Sequence, residues 1–421
     1  MTQNRSDASK SNEKVQSLKA LRDYQRKWWE ETHERLRQGE PYGICMADDA
    51  EDIFTAFDIP IIVIPWWSAV ISGKKMSEYY GKVLAEHGYD MDPYYSLGLG
   101  VTLDNDPEKA PWGGLPKPAL IIGSTVHDYN LKITEIWARE YGCPCFPLEV
   151  SYSLPTRQYP HRWWERIRDH WDEIIEPHKI DKRVEEMKEL IRFLEINTGR
   201  RFSPAKLAET IDLVNEQEEY WAKARDLIAS SSPCAVTLAD QLSIYSAQWH
   251  RGKSGARDII KMFYEEVKER VENGISSYPD EKIRLMWNGL GLWTNMAFFE
   301  YFKEKYDATF VCSIYTSIAA DGYGRKVLNN DPLRALASRF AWLGVLETEW
   351  VVKIAQLHKC DGVVQLASGP RPSIQAKYFE KAGIPVCEIP GDSVDARKWD
   401  DIKSRSMVSD FIEARIMSSR S

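Results

Sequence analysis

The 421-residue sequence has no apolar run near the ~20 residues a membrane-spanning helix needs. Its most hydrophobic stretch, Asp58-Ile59-Pro60-Ile61-Ile62-Val63-Ile64-Pro65, reads as a buried strand. No secretory signal opens the chain, since Met1 to Lys14 is polar, so a cytoplasmic protein is expected. A basic block is also missing. The net charge is -8, and cations interleave with acids, as in Lys182-Arg183-Val184-Glu185-Glu186, so nucleic acid is a poor partner. No C-x-x-C occurs. The seven cysteines are odd in number and scattered, with only Cys143-Pro144-Cys145 close together, which argues for reduced thiols over a disulfide framework. There is no Walker motif, and Asp321-Gly322-Tyr323-Gly324-Arg325 is not G-x-G-x-x-G, so no nucleotide-binding motif is read.

Tryptophan, in contrast, is plentiful. There are sixteen, partly paired at Trp28-Trp29, Trp66-Trp67 and Trp163-Trp164. Two readings stand: packing between layers, or the wall of an aromatic pocket. With 43% hydrophobic and 28% charged residues, the composition is that of a globular protein of two or three domains.

Periodicity predicts a helix over 15–39, a short helix over 50–57, a strand over 59–64 and a helix over 74–87. A strand at 118–123, a helix at 130–141 and a strand at 146–150 then form a βαβ unit, which implies a parallel, doubly wound sheet. From about 162 to 274 the signal is helical, with Ser203-Pro204 as an N-cap and first helical residue. Strands at 282–287, 308–315, 362–366 and 385–389 alternate with helices at 295–306, 331–342, 350–359 and 374–382. The expected class is α/β. Residues 1–40 form a tail and N-terminal helix, 41–161 a first α/β domain, 162–278 a helical connector and 279–421 a second α/β domain.

Several stretches follow one another in a telling order: Glu281-Lys282-Ile283-Arg284-Leu285, Trp293-Thr294-Asn295, Ser313-Ile314-Tyr315-Thr316, and Asn330-Asp331-Pro332-Leu333 with Leu336-Ala337. Leu115 to Ile122, Tyr141-Gly142-Cys143-Pro144, Arg251-Gly252 and Asp361 to Gln365 agree with them. Over roughly residues 45 to 415 the chain resembles the 2-hydroxyacyl-CoA dehydratase family, and within it the B-type subunit of ATP-dependent benzoyl-CoA reductases. The resemblance implies two Rossmann-like domains per subunit and a heterodimer with a related subunit. It also implies a [4Fe–4S] cluster held by three cysteines and an ATP-dependent activator that delivers electrons. The substrate would be a coenzyme A thioester in anaerobic acyl-CoA metabolism, reduced to a ketyl radical anion for lyase or oxidoreductase chemistry.

The three cluster positions, carried over from the family, fall on Ser96, His127 and Arg371. Neither a hydroxyl nor a guanidinium replaces a thiolate, and one histidine cannot anchor a cluster. The expectation is a chain with no cluster of its own, the cluster belonging to the partner subunit. In its place, polar loops at strand ends carry Ser124, Thr125, His127 and Asp128, and Ser368, Gly369, Arg371 and Ser373. His127 and Asp128 either bind a metal or are ordinary loop residues. Ser368-Gly369-Pro370-Arg371 is either an anion site or a surface turn. His250-Arg251-Gly252-Lys253 either meets coenzyme A phosphates at a helix start or merely joins two helices. Three functions remain open: a cluster-free subunit shaping an acyl-CoA pocket, with Ser96, Ser124, Thr125, Asp128, Ser368, Gly369, Arg251 and Lys253 as binding residues; a non-radical acyl-CoA enzyme with His127 as acid–base and Arg371 on a carboxylate; or a non-catalytic scaffold.

Overall fold

The computed structural model describes residues 15–46, 51–125, 128–149, 160–343, 348–367 and 373–419. The first half runs α1 (Gln16–Arg37), β1 (Gly43–Cys45), α2 (Glu51–Ala56), β2 (Ile61–Val63), α3 (Ile64–Gly73), α4 (Ser77–Glu86), α5 (Pro93–Asp104), β3 (Leu120–Ser124), α6 (Asp128–Tyr141) and β4 (Cys145–Leu148). Its four strands are all parallel, in the order β2-β1-β3-β4. Ile44 pairs with Ile62 on one side and Ile121 on the other, and all three are buried. Such continuous apolar runs are what a parallel sheet covered on both faces requires.

Between β4 and β5 the described residues contain helices and no strand, as expected: α7 (Ile167–Ile174), α8 (Pro177–Thr198), α9 (Pro204–Ser230), α10 (Leu238–Ile244) and α11 (Ser254–Glu272). Ser203 caps α9, its Oγ accepting from Lys206 N–H at 3.2 Å, with Pro204 in the first turn. The second half runs β5 (Ile283–Asn288), α12 (Tyr301–Tyr306), β6 (Ala308–Ser313), α13 (Ile314–Gly322), α14 (Pro332–Leu343), α15 (Thr348–Leu357), β7 (Gly362–Ala367), α16 (Ile374–Lys381), β8 (Val386–Pro390) and α17 (Asp401–Phe411). Its sheet is again wholly parallel, in the order β6-β5-β7-β8. The two sheets thus repeat one winding, although the sequence shows no repeat.

Four local expectations are corrected. β1 is an unread strand of three residues, too short to show a pattern. The helix expected at 74–87 is α4 alone, preceded by the separate α3. The strand expected to reach Tyr315 stops at Ser313, whose Oγ accepts from Tyr315 N–H at 3.0 Å and so caps α13. The glycine-rich stretch from Asp321 therefore follows a helix. Ser96, carried over as a cluster position, lies in a helix and not in a loop: it follows the start of α5, which is capped by Asp92 with Pro93 next to it.

The halves touch directly. Lys75 Nζ donates to the carbonyl of Thr294 at 2.6 Å, and Ala396 N–H donates to Ser77 Oγ at 3.2 Å. The hydroxyls of Tyr94 and Tyr315 lie 3.2 Å apart. Thr294 and Tyr315 both follow the carboxyl ends of strands, β5 and β6, so that edge of the second sheet faces the first half. Among the described residues no helix is long and apolar enough to cross a membrane.

Candidate functional site

Open parallel sheets bind ligands beyond the carboxyl ends of their strands, where strand order reverses. Here the reversal lies between β1 and β3 in one sheet and between β5 and β7 in the other. Ser124 ends β3 and is fully buried, and Thr125 follows, its N–H donating to the Leu148 carbonyl at 3.1 Å. Asp128 begins α6. His127 lies outside the described residues, as do Ser368, Gly369 and Arg371.

Ser96 is carried by a different element. It sits in the first turn of α5, fully buried, with its Oγ lacking a hydrogen-bond partner. Its neighbour Tyr95 packs on Tyr129 of α6 with ring centres 5.6 Å apart, and this joins the start of α5 to the loop leaving β3. Sequence reasoning missed Asp92, which caps this turn with Oδ1 accepting from Tyr94 N–H at 2.9 Å. Burial raises the Asp92 carboxyl above the usual range. The Tyr94 N–H, Lys398 and the Tyr129 hydroxyl pull it back, while the charge of Asp392 in the second half pushes it further up. Asp-Pro at a helix start was the legible signal.

In the second half, buried amides order the strand ends. Asn288 Nδ2 donates to Gln365 Oε1 and to Gln375 Oε1, each at 3.0 Å. Gln365 Nε2 donates to Ser373 Oγ at 2.5 Å, and that same oxygen caps α16 by accepting from Ala376 N–H at 3.0 Å. Ser373 N–H donates to Glu388 Oε1 at 3.0 Å. These bonds fix the residue at which the chain re-enters a helix beside the reversal point. Tyr315 packs on Tyr245 with ring centres 4.3 Å apart and is flanked by Trp293. Burial drives its phenol well above the normal range, so it stays protonated.

Arg251 and Lys253 lie elsewhere, between α10 and α11. Arg251 is 2% exposed, paired with Glu51 at 3.0 Å and stacked 3.9 Å from the ring centre of Tyr323. Lys253 is half-buried at the start of α11. Both line a cavity of about 230 Å³ beside Trp28 and His250. Of the paired tryptophans, Trp28, Trp29, Trp66 and Trp67 form one cluster with Trp112, with Trp29 and Trp67 stacked at 5.6 Å and 7°. The two readings of the tryptophans therefore both apply. Trp67 is a fully buried packing ring, whereas Trp28 is a cavity wall.

An iron–sulfur cluster needs several thiolates converging on one point. Ser96 supplies a hydroxyl. Cys143 and Cys145 stand at the opposite, amino end of β4. Cys312 and Cys360 approach each other at 3.7 Å around β5, but burial, then its contact with Cys360, raise the Cys312 thiol well above normal. Burial likewise pushes Cys234 and Cys387 up to about 12. Among the described residues no three His, Cys, Asp or Glu side chains are grouped to hold a metal ion. Among the described residues no set of thiolates converges on one point, and two of the three cluster positions, His127 and Arg371, lie outside them.

Comparison with known proteins matches the frame throughout. The 2-hydroxyglutaryl-CoA dehydratase D-component family matches residues 50–414. The chain is 22% identical over 415 residues to the (R)-2-hydroxyisocaproyl-CoA dehydratase alpha subunit of Clostridioides difficile, covering 95% of this chain and 96% of that one. It is 21% identical over 403 residues to the (R)-phenyllactyl-CoA dehydratase alpha subunit of Clostridium sporogenes, covering 91% of each. A match spanning both sheets and the helices between them settles the kinship: the chain belongs to the 2-hydroxyglutaryl-CoA dehydratase D-component family.

Proposed function

We propose that this chain is a subunit of an acyl-CoA dehydratase-type enzyme, carries no cluster of its own, and works in the cytoplasm beside a related subunit that does. The relatives are named as alpha subunits, which supports a partner. The observation that carries the cluster-free reading is Ser96, a buried hydroxyl where the family's thiolate is expected. Ser124, Thr125, Asp128 at the start of α6, and the flanking residues His127, Ser368, Gly369 and Arg371 would then shape the wall that faces the coenzyme A thioester.

Anaerobic expression of the chain alone and with a related three-cysteine subunit tests this. Iron and sulfide are expected in the complex and absent from the lone chain. A full complement of iron and sulfide in the lone chain overturns the reading.

Asp92 favours a second reading, a non-radical acyl-CoA enzyme. Burial raises its carboxyl above the ordinary aspartate range and it stands beside Tyr94 and Tyr129, so it would serve as a proton donor to a ligand bound there. Turnover of a coenzyme A ester by the lone, iron-free chain would select it.

A further inference from the structure

Cys312 and Cys360 are 48 positions apart in sequence, yet their sulfurs lie 3.7 Å from each other. Two features of the second sheet bring this about. In the β6–β5 ladder Phe310 pairs with Leu285 but Cys312 pairs with Met286, a register shift that leaves Val311 over. Such a bulge re-aims the side chain beside it. It sets Cys312 opposite Met286, on the face of the sheet that also carries Arg284, two residues earlier in β5. The second feature is the end of α15. Arg284 Nε donates to the His358 carbonyl at 2.8 Å, which holds the end of that helix over the same face. The chain then turns through Lys359, at a left-handed φ of 53°, and Cys360 N–H donates to the Ala355 carbonyl at 2.9 Å. That turn delivers Cys360 to Cys312 before β7 begins at Gly362.

The two thiols differ in what reaches them. Cys312 is buried in β6, whereas Cys360 is half-buried. A buried cysteine by itself is a small core residue and inert. Cys360 does not fit that description, because it stands between the charged residues Lys359 and Asp361 in a turn that solvent reaches. Cys234 is a third sulfur of this region, but it is fully buried and its Sγ donates to the Val236 carbonyl at 3.1 Å. A disulfide needs its sulfurs at ~2.05 Å. Cys312 is fixed by its rung with Met286, so the closing movement falls on the turn at Cys360, which precedes the first rung of β7.

We propose that Cys312 and Cys360 form a reversible redox modification site, reduced at rest and closed to a disulfide by a peroxide. The Cys360 sulfur attacks hydrogen peroxide and the O–O bond breaks, which leaves a sulfenic acid on Cys360 and releases water. The Cys312 sulfur then attacks the Cys360 sulfur, the S–O bond breaks, and a second water leaves. The two thiols give up two electrons and two protons, the peroxide is reduced to two waters, and a dithiol reverses the change. Burial, then the contact with Cys360, disfavours the Cys312 thiolate. Contact between the sulfurs offsets this by making the second step intramolecular. The bond pins the turn between α15 and β7 to β6, and it keeps Cys360 from passing to the irreversible sulfinic acid. Cys360 lies at the amino end of β7, away from the strand-end loops, so the site does not rest on the proposed function.

The purified, fully reduced chain is treated with hydrogen peroxide, its remaining thiols are blocked, and its peptides are mapped by mass spectrometry without reduction. A Cys312–Cys360 cross-linked peptide is expected as the main link, and dithiothreitol is expected to remove it. In urea the same treatment is expected to scatter links over the seven cysteines. Cys312→Ala is expected to accumulate at least about tenfold more dimedone-trapped sulfenic acid on Cys360, because the intramolecular partner is gone. Links that scatter in the folded chain as they do in urea, a Cys234–Cys312 link, or no link at all overturn the site. So does sulfinic acid on Cys360 while Cys312 stays a free thiol. The mapping on the unaltered chain decides this whether or not the variant folds.

Discussion

Asp92 ties a helix cap, a buried carboxyl and the cleft together in one residue. Folding raises its proton affinity, mainly through burial. Below the ordinary aspartate pKa of ~3.9 both folded and unfolded chains hold the proton, and the group costs nothing. As pH rises through the raised folded value, the unfolded chain has already released its proton, and stability falls. Asn caps a helix as well as Asp does. Asp92→Asn is therefore expected to raise Tm at pH 7, with the gain shrinking toward pH 4.5 in matched thermal melts. A gain independent of pH would contradict the assignment. The sequence showed the cap, as Asp before Pro, but not Asp392, which reaches it from 300 residues further along the chain.

Helices α2 and α14, far apart in sequence, are joined by Arg339 and Asp52, at 2.6 Å with both side chains nearly inaccessible. Removing one partner of such a pair typically costs about 3–5 kcal/mol because the other is left buried and charged. Asp52→Asn should lower the urea midpoint accordingly, whereas a loss under ~1 kcal/mol would mean that water reaches Arg339. Most elements were legible from period and punctuation. Those that were not have a physical reason. α5 holds Pro93, Gly98 and Gly100, and no helix is read there from the sequence. Yet a Cβ at Gly98 would lie 2.5 Å from Trp137 and 2.8 Å from Trp67, and one at Gly100 would lie 2.8 Å from the Tyr80 carbonyl. The glycines are there for close packing, and only the tertiary structure reveals it. In the site, Ser124 and Thr125 fell at the strand end the sequence indicated. Arg251 turned inward because Glu51, 200 positions away, claims it.

Acid sensitivity belongs to the whole molecule. His250, enclosed by Tyr24, Trp28 and Trp66, and His358, bonded to the Ile354 carbonyl at 2.9 Å, are buried and neutral. Burial lowers each to about 3. Above ~6.5 neither folded nor unfolded chains protonate them, and stability is full. As pH falls from 6.5 toward 3, the unfolded chain takes up protons that the folded one refuses, so stability drops by about 1.4 kcal/mol per pH unit for each histidine. Urea unfolding between pH 6.5 and 5 should show that slope, and a His250→Phe, His358→Asn double variant should flatten it. An unchanged slope in the variant would place the acid sensitivity in other groups.

The two sheets wind in the same order, β2-β1-β3-β4 and β6-β5-β7-β8, and in each the chain leaves the carboxyl edge just past its last hydrogen-bonded residues. Most of what holds each sheet together is therefore distinct from the segments that follow the strand ends. A residue outside the ladders, such as Ser96 in α5, can change without disturbing one rung of either sheet, so shape and chemistry are free to be inherited separately.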